Sequence, residues 1–126
     1  MRGINRYKTS KVHNASKEQL VTMLFQEAVK RLHRCENKAT EFFSQEQIKD
    51  LAHVREIYTE LLLALDPESA PELVERLGPL YRWCLTSLIK AGSEHDTAQV
   101  EQVRKISETL LDGWVKAVES PERQSA

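Results

Sequence analysis

Apolar residues recur every three or four positions along most of the chain, which is the period of an amphipathic helix. Leu20, Leu24, Ala28 and Leu32 form one row, Val21, Phe25 and Val29 lie beside it, and Cys35, Ala39 and Phe42 extend it. This wide stripe predicts a first helix over roughly 17–42. Ser16 followed three residues later by Gln19 forms a capping box, with Ala15 and Leu20 as a weak hydrophobic staple across it. Ser44 with Gln47 is a second capping box, stapled by Phe43 and Ile48, and it opens a second helix over about 45–65. Ile48, Leu51, Val54, Tyr58, Leu61, Leu62 and Leu65 line that helix. Asp66-Pro67 ends it, because the residue before a proline avoids the α region.

A third helix is predicted from about Ser69 to Ala91, with Ser69 as its cap and Glu72 as the partner three residues on. Leu73, Leu77, Leu80, Tyr81, Cys84 and Leu88 keep the period. Gly78-Pro79 falls inside it and predicts a kink or a break, since proline removes an amide and crowds the preceding turn. Gly92 stands where a left-handed C-cap belongs. A fourth helix starts after Asp96, with Gln99 three residues on, and ends near Val118. Its stripe is Val103, Ile106, Leu110, Trp114 and Val118. Short connections favour antiparallel neighbours, so the expected fold is an all-α, antiparallel four-helix bundle. It is one domain: a basic N-terminal arm at 1–15, the bundle at 16–119 and a frayed tail at 120–126.

Composition agrees with this pattern. Of 126 residues, 40% are apolar and 29% charged, with only four Gly and four Pro, which suits a helical globule. No apolar run is long enough for a membrane span, and no apolar segment follows the basic first residues as it would in a secretory signal. A cytoplasmic location is expected, with Cys35 and Cys84 as free core thiols. The net charge of −1 conceals an asymmetry. Residues 1–17 carry Arg2, Arg6, Lys8, Lys11 and Lys17 and no acid, so 18 − 5 = 13 basic residues face 19 acidic ones over 18–126, a net of −6. Such an arm folds back on its own acidic body, reaches a partner, touches nucleic acid or stays a solvated mobile terminus.

Candidate chemistry is sparse. His13, His33, His53 and His95 are scattered, without the spacing of a metal site, and read as surface histidines. No glycine-rich phosphate loop occurs, and the carboxylates fall on faces expected to be wet, with i, i+4 partners such as Glu27 and Arg31. A histidine phosphotransfer module has a similar size. However, His33 in RLHRCE and His53 in LAHVRE lack the nearby glycine and lysine expected of such a module. The expectation is a binding protein: no enzyme, no catalytic residue, no cofactor and no metal.

Two stretches resemble the FliS family of flagellin-specific export chaperones. One is Ala15-Ser16-Lys17-Glu18-Gln19-Leu20 with Met23-Leu24-Phe25. The other runs through Leu61 to Pro67, Glu72-Leu73, Leu77, Leu80-Tyr81, Leu88, Ala91, Asp96 and Val103 to Gly113-Trp114-Val115-Lys116-Ala117. Tyr7 and Val12 match the family's N-terminal arm. Departures are Lys17 in place of a usual proline, Phe25 in place of tyrosine, Arg82-Trp83 after Tyr81, Gly92-Ser93 after Ala91, and Gly78-Pro79. The resemblance implies a partner: the C-terminal helical segment of flagellin, kept from premature polymerisation and delivered to the flagellar type III export apparatus. An export gate or a flagellar regulator is a further partner it implies. Neither nucleic acid nor membrane insertion is expected, and the chain is expected as a monomer or weak homodimer. The other reading is a helical adaptor or regulator that binds a different helix or itself.

Helix-in-groove binding needs apolar residues beyond those the core consumes. The candidates are Leu62, Leu63, Leu65, Leu77, Leu80, Tyr81, Trp83, Leu85 and Ile89. Trp83 stands out because it lies off the Tyr81-Cys84-Leu88 stripe. Ile4, Tyr7 and Val12 on the arm are candidates to cover the groove when it is empty.

Overall fold

The structure, a computed structural model, describes residues 16–38 and 41–119. Four helices follow one another: α1 (Lys17–Asn37), α2 (Gln45–Leu63), α3 (Pro71–Glu94) and α4 (Thr97–Glu119). Each packs on its neighbours in the order α1, α2, α3, α4 and back to α1. The pairings are antiparallel. Arg104 meets Glu36 while Trp114 meets Thr22, and Tyr58 meets Tyr81 while Leu51 lies beside Gly92. No strand occurs among the described residues. The interior is a single core built from Leu24, Phe25, Ala28, Leu32, Val54, Ile57, Tyr58, Cys84, Leu88, Val100 and Val103 with their neighbours. Both cysteines are free and buried, as expected.

The first two helix starts form as the sequence predicts. Ser16 accepts from the Gln19 amide and Gln19 accepts from the Ser16 amide. Ser44 and Gln47 do the same. Gln47 also reaches across the joint. Its Nε2 donates to the Cys35 carbonyl at 2.9 Å, so one buried amide closes the end of α1 while opening α2. Only a side chain with both a donor and an acceptor can serve both ends.

Several boundaries differ from the expectation. α1 ends at Asn37, not near Phe42. Phe43 turns inward instead, where its N–H donates to His95 Nδ1 at 2.8 Å, and Phe42 is left 66% exposed. Ile48 is exposed rather than acting as a staple. α2 stops at Leu63. Ser69 does not cap α3. Its hydroxyl donates to Asp66, which also accepts from the Glu68 amide, and these bonds hold the Asp66 carboxyl below its ordinary value. Ala70 is the cap residue and Pro71 opens the helix, where a missing N–H costs nothing.

Gly78-Pro79 neither breaks α3 nor divides it. Gly78 has no Cβ for the proline ring to strike, which eases the restriction on the residue before proline. Pro79 is exposed, so the carbonyl it cannot serve lies on the wet side of the helix. Gly92 is not the C-cap. Its φ is not positive, and it sits within α3 against α2, where a Cβ would come to 3.8 Å from Leu51 Cδ1. The left-handed residue is His95, at φ 53, pinned by the Phe43 bond and by edge contacts with the rings of Phe42 and Phe43. Histidine is among the residues that tolerate this conformation. His95 is therefore a structural joint rather than a surface histidine. Asp96 accepts from the Gln99 amide and opens α4. Ala39, the tail at 120–126 and the whole arm, with Ile4, Tyr7, Val12 and His13, lie outside the described residues.

A candidate helix-docking surface

Polar side chains that cross between helices concentrate on the faces of α1. Arg34 grips Asp50 through Nε at 3.0 Å and Nη2 at 2.5 Å, and Arg31 reaches the same carboxylate at 3.1 Å. On the other side, Arg104 of α4 holds Glu36 through two bonds and also pairs with Glu108. These carboxylates, Glu36 first, keep the guanidinium above its ordinary value. The Trp114 indole donates to the Glu18 carbonyl and the Thr22 hydroxyl, tying the end of α4 to the start of α1. In the centre, Tyr58 and Ser107 share a hydrogen bond of 2.5 Å in full burial. Burial pushes the Tyr58 phenol well above its ordinary value. Each of these residues finds a partner within the chain and helps to hold the bundle together, although Arg31 Nε, 3.7 Å from Glu27 Oε1, makes no hydrogen bond.

The outer faces of α2 and α3 differ. A groove of about 570 Å³ runs between them, lined by Ala52, Arg55, Glu56, Thr59 and Glu60 of α2 and by Leu85 and Ile89 of α3. Its α2 wall repeats at i, i+3, i+4, i+7 and i+8, which is one helix face about two turns long. Ile89 is 54% exposed, and Leu85 is half-buried against the core. On the opposite flank of α3, helical spacing sets Leu73, Leu80 and Trp83 along a second strip, all three exposed.

The structure thus sorts the predicted docking residues into three groups. Leu85 and Ile89 share the α2–α3 groove. Leu80 and Trp83 lie on the other flank of α3 and do not join them. Leu62, Leu65 and Leu77 are partly buried and pack on the core, while Leu63 is exposed at the end of α2. Tyr81 is corrected to a core residue: it is 4% exposed, with its ring 5.8 Å from that of Tyr58. It sits at a buried position between Cys84 and Gly78, and its aromatic bulk fills the bundle rather than meeting a visitor.

Sequence reasoning passes over the buried polar residues. Asp50, Glu60 and Gln47 are each at most 6% exposed, whereas the carboxylates are expected on wet faces. A signal is present, since 47, 50, 54, 57 and 61 fall on the core-facing period of α2. Leu73 and Phe42 belong to the predicted stripes and are instead exposed. Among the described residues no group of His, Cys, Asp or Glu is arranged to hold a metal, and no helix is long and apolar enough to cross a membrane.

A closed core with apolar side chains left exposed on two neighbouring helices defines a helical bundle with a candidate docking surface. Comparison with known proteins narrows the class. A family model described as "Flagellar protein FliS" matches residues 1–121. The chain is also 32% identical over 113 residues to "Flagellar secretion chaperone FliS" of Escherichia coli (strain K12), covering 89% of this chain and 83% of that protein. The chain belongs to the FliS family, a family of flagellar secretion chaperones and not of enzymes.

Proposed function

We propose that this chain is a cytoplasmic export chaperone that holds the C-terminal helical segment of flagellin, keeps it from polymerising early and brings it to the flagellar type III export apparatus. The observation that carries this reading is the apolar surface of α3, where Leu80, Trp83 and Ile89 remain exposed outside a closed core. Exposed apolar rows at helical spacing suit the anchors of an amphipathic client helix. Family membership supplies the client class. Ordering a disordered client offsets part of the contact energy, so binding stays reversible and the client can be released at the export machinery.

The N-terminal arm adds regulation to this reading. The arm lies outside the described residues, and we propose for Ile4, Tyr7 and Val12 the role of covering the empty groove, with Arg2, Arg6 and Lys8 drawn by the acidic body until client displaces them. Removing residues 1–14 then promotes self-association and raises client affinity. Unchanged behaviour of that truncation would remove the arm from the account.

Calorimetry of the full chain with the C-terminal segment of its cognate flagellin tests the main reading. Saturable binding with a large negative heat-capacity change is expected, because coupled folding buries on the order of 1,000 Å² or more. Absence of binding at concentrations of tens of micromolar would overturn it.

A further inference from the structure

The α2–α3 groove has a polar feature that neither the core nor the apolar strip explains. Glu60 lies on α2 between Tyr58 and Leu61, and it is 6% exposed while lining the groove. Its Oε2 is buried and meets no hydrogen-bond donor among the described residues. Arg55 lines the same groove, yet Oε2 remains without a partner. Buried carboxylate oxygens are ordinarily satisfied, and one that is not is open to a donor from outside the described residues. Asp50, the other buried carboxylate of α2, shows the contrast, for it is gripped by two arginines.

We infer that Glu60 is a specificity residue that receives a basic side chain of the client. The occupant is an amphipathic helix whose apolar anchors rest on Leu85 and Ile89 and which carries a lysine or arginine about one turn away, directed at Glu60. Charge complementarity supports this chemistry. Residues 18–126 carry a net charge of −6, and the groove wall presents Glu56 and Glu60 against the single Arg55. Glu60 is itself buried, so a charge-assisted hydrogen bond formed there is strong, and a partner lacking the donor leaves the carboxylate stranded. Arginine suits the position best, since its planar fork matches a carboxylate and it sheds water more readily than lysine. Apolar anchors alone fit many amphipathic helices, whereas the buried acid rejects those without a correctly placed cation.

This inference rests on the flagellin reading above, and its test separates the two. Full-length chain and Glu60→Gln are titrated with the C-terminal flagellin segment at several salt concentrations, and both proteins are melted thermally. Each lysine and arginine of the segment is then changed to methionine in turn. Glu60→Gln is expected to weaken binding at least tenfold and to flatten its salt dependence, while its Tm equals or exceeds that of the parent. One basic residue of the segment is expected to show the same loss, with no further loss when both changes are combined. Equal binding by parent and Glu60→Gln overturns this inference alone. A loss that couples to no single basic residue overturns it as well. A parent chain that does not bind the segment overturns the flagellin reading and this inference with it.

Discussion

The two sides of the bundle are built to different rules. Around α1, each interhelical polar bond has its partner in the chain: Asp50 with Arg31 and Arg34, Glu36 with Arg104, Trp114 with Thr22 and the Cys35 carbonyl with Gln47. On α3, Ile89 beside the α2 groove and Leu80 and Trp83 on the opposite flank remain exposed, and Glu60 Oε2 of α2 has no donor among the described residues. Apolar side chains left in water and a carboxylate oxygen left without a donor both cost free energy. The closed side lowers the free energy of the folded chain. The open side forgoes that gain, and under the proposed function it is the side left for the client helix. A secretion chaperone needs both, because a frame that yielded to its client would lose the shape that recognises it.

Substitutions that break this contrast should have their largest effect on the closed side. Leu32 on α1 is fully buried. Leu32→Ala leaves a cavity and should lower stability by about 2–5 kcal/mol, read by denaturant unfolding. Gln47→Glu is a finer test. The carboxylate still accepts from the Ser44 amide and the residue's own amide still donates to Ser44 Oγ, so the box is preserved, but the new side chain cannot donate to the Cys35 carbonyl. A loss of about 1–3 kcal/mol is expected from a buried acceptor without its donor. A negligible change would show that the α1–α2 joint does not depend on that bond.

Alkaline titration probes the closure of the core from another direction. Burial raises the Cys35 thiol from 9.0 to about 12 and the Cys84 thiol from 9.0 to about 11. Neutral buried thiols favour the folded state while the unfolded chain is also neutral. That contribution is fully present below pH 9 and is lost as pH rises through the folded values. Stability should therefore decline above pH 9, and a thiol reagent at about pH 8, where an exposed thiol is partly ionised, should label both cysteines only after unfolding. Labelling of the native chain at the unfolded rate would show that the interior opens readily.

The smallest effect on stability belongs to the open side. Ile89→Ser removes an apolar side chain that is already 54% exposed and should shift stability by no more than about 0.5 kcal/mol. Its cost appears in client affinity, which should fall about tenfold, the effect of losing roughly 1.4 kcal/mol of apolar contact. If stability fell as far as for Leu32→Ala, α3 would be committed to the core along its whole circumference, and the contrast between the two sides would vanish.

Local chemistry in the sequence was enough to place the four helices, their two capping boxes and the antiparallel all-α architecture. A Ser-x-x-Gln cap and a 3.6-residue apolar period act over a few residues and do not depend on distant partners. The resemblance to FliS was likewise legible, because the matching residues run in order along the chain. Positions whose role depends on what lies across the bundle were decided by tertiary structure. Tyr81 is core because Tyr58 faces it, and His95 accepts a left-handed backbone because Phe43 donates to it. Pro79 is tolerated because it faces water and follows a glycine. Asp50 and Glu60 show the same dependence most clearly: both are buried acids on one helix, and only the packing reveals that arginines of α1 satisfy one while the other keeps an oxygen without a donor. Periodicity reports which face a residue occupies. Whether that face is closed, and by what, depends on side chains tens of residues away, which no local pattern encodes.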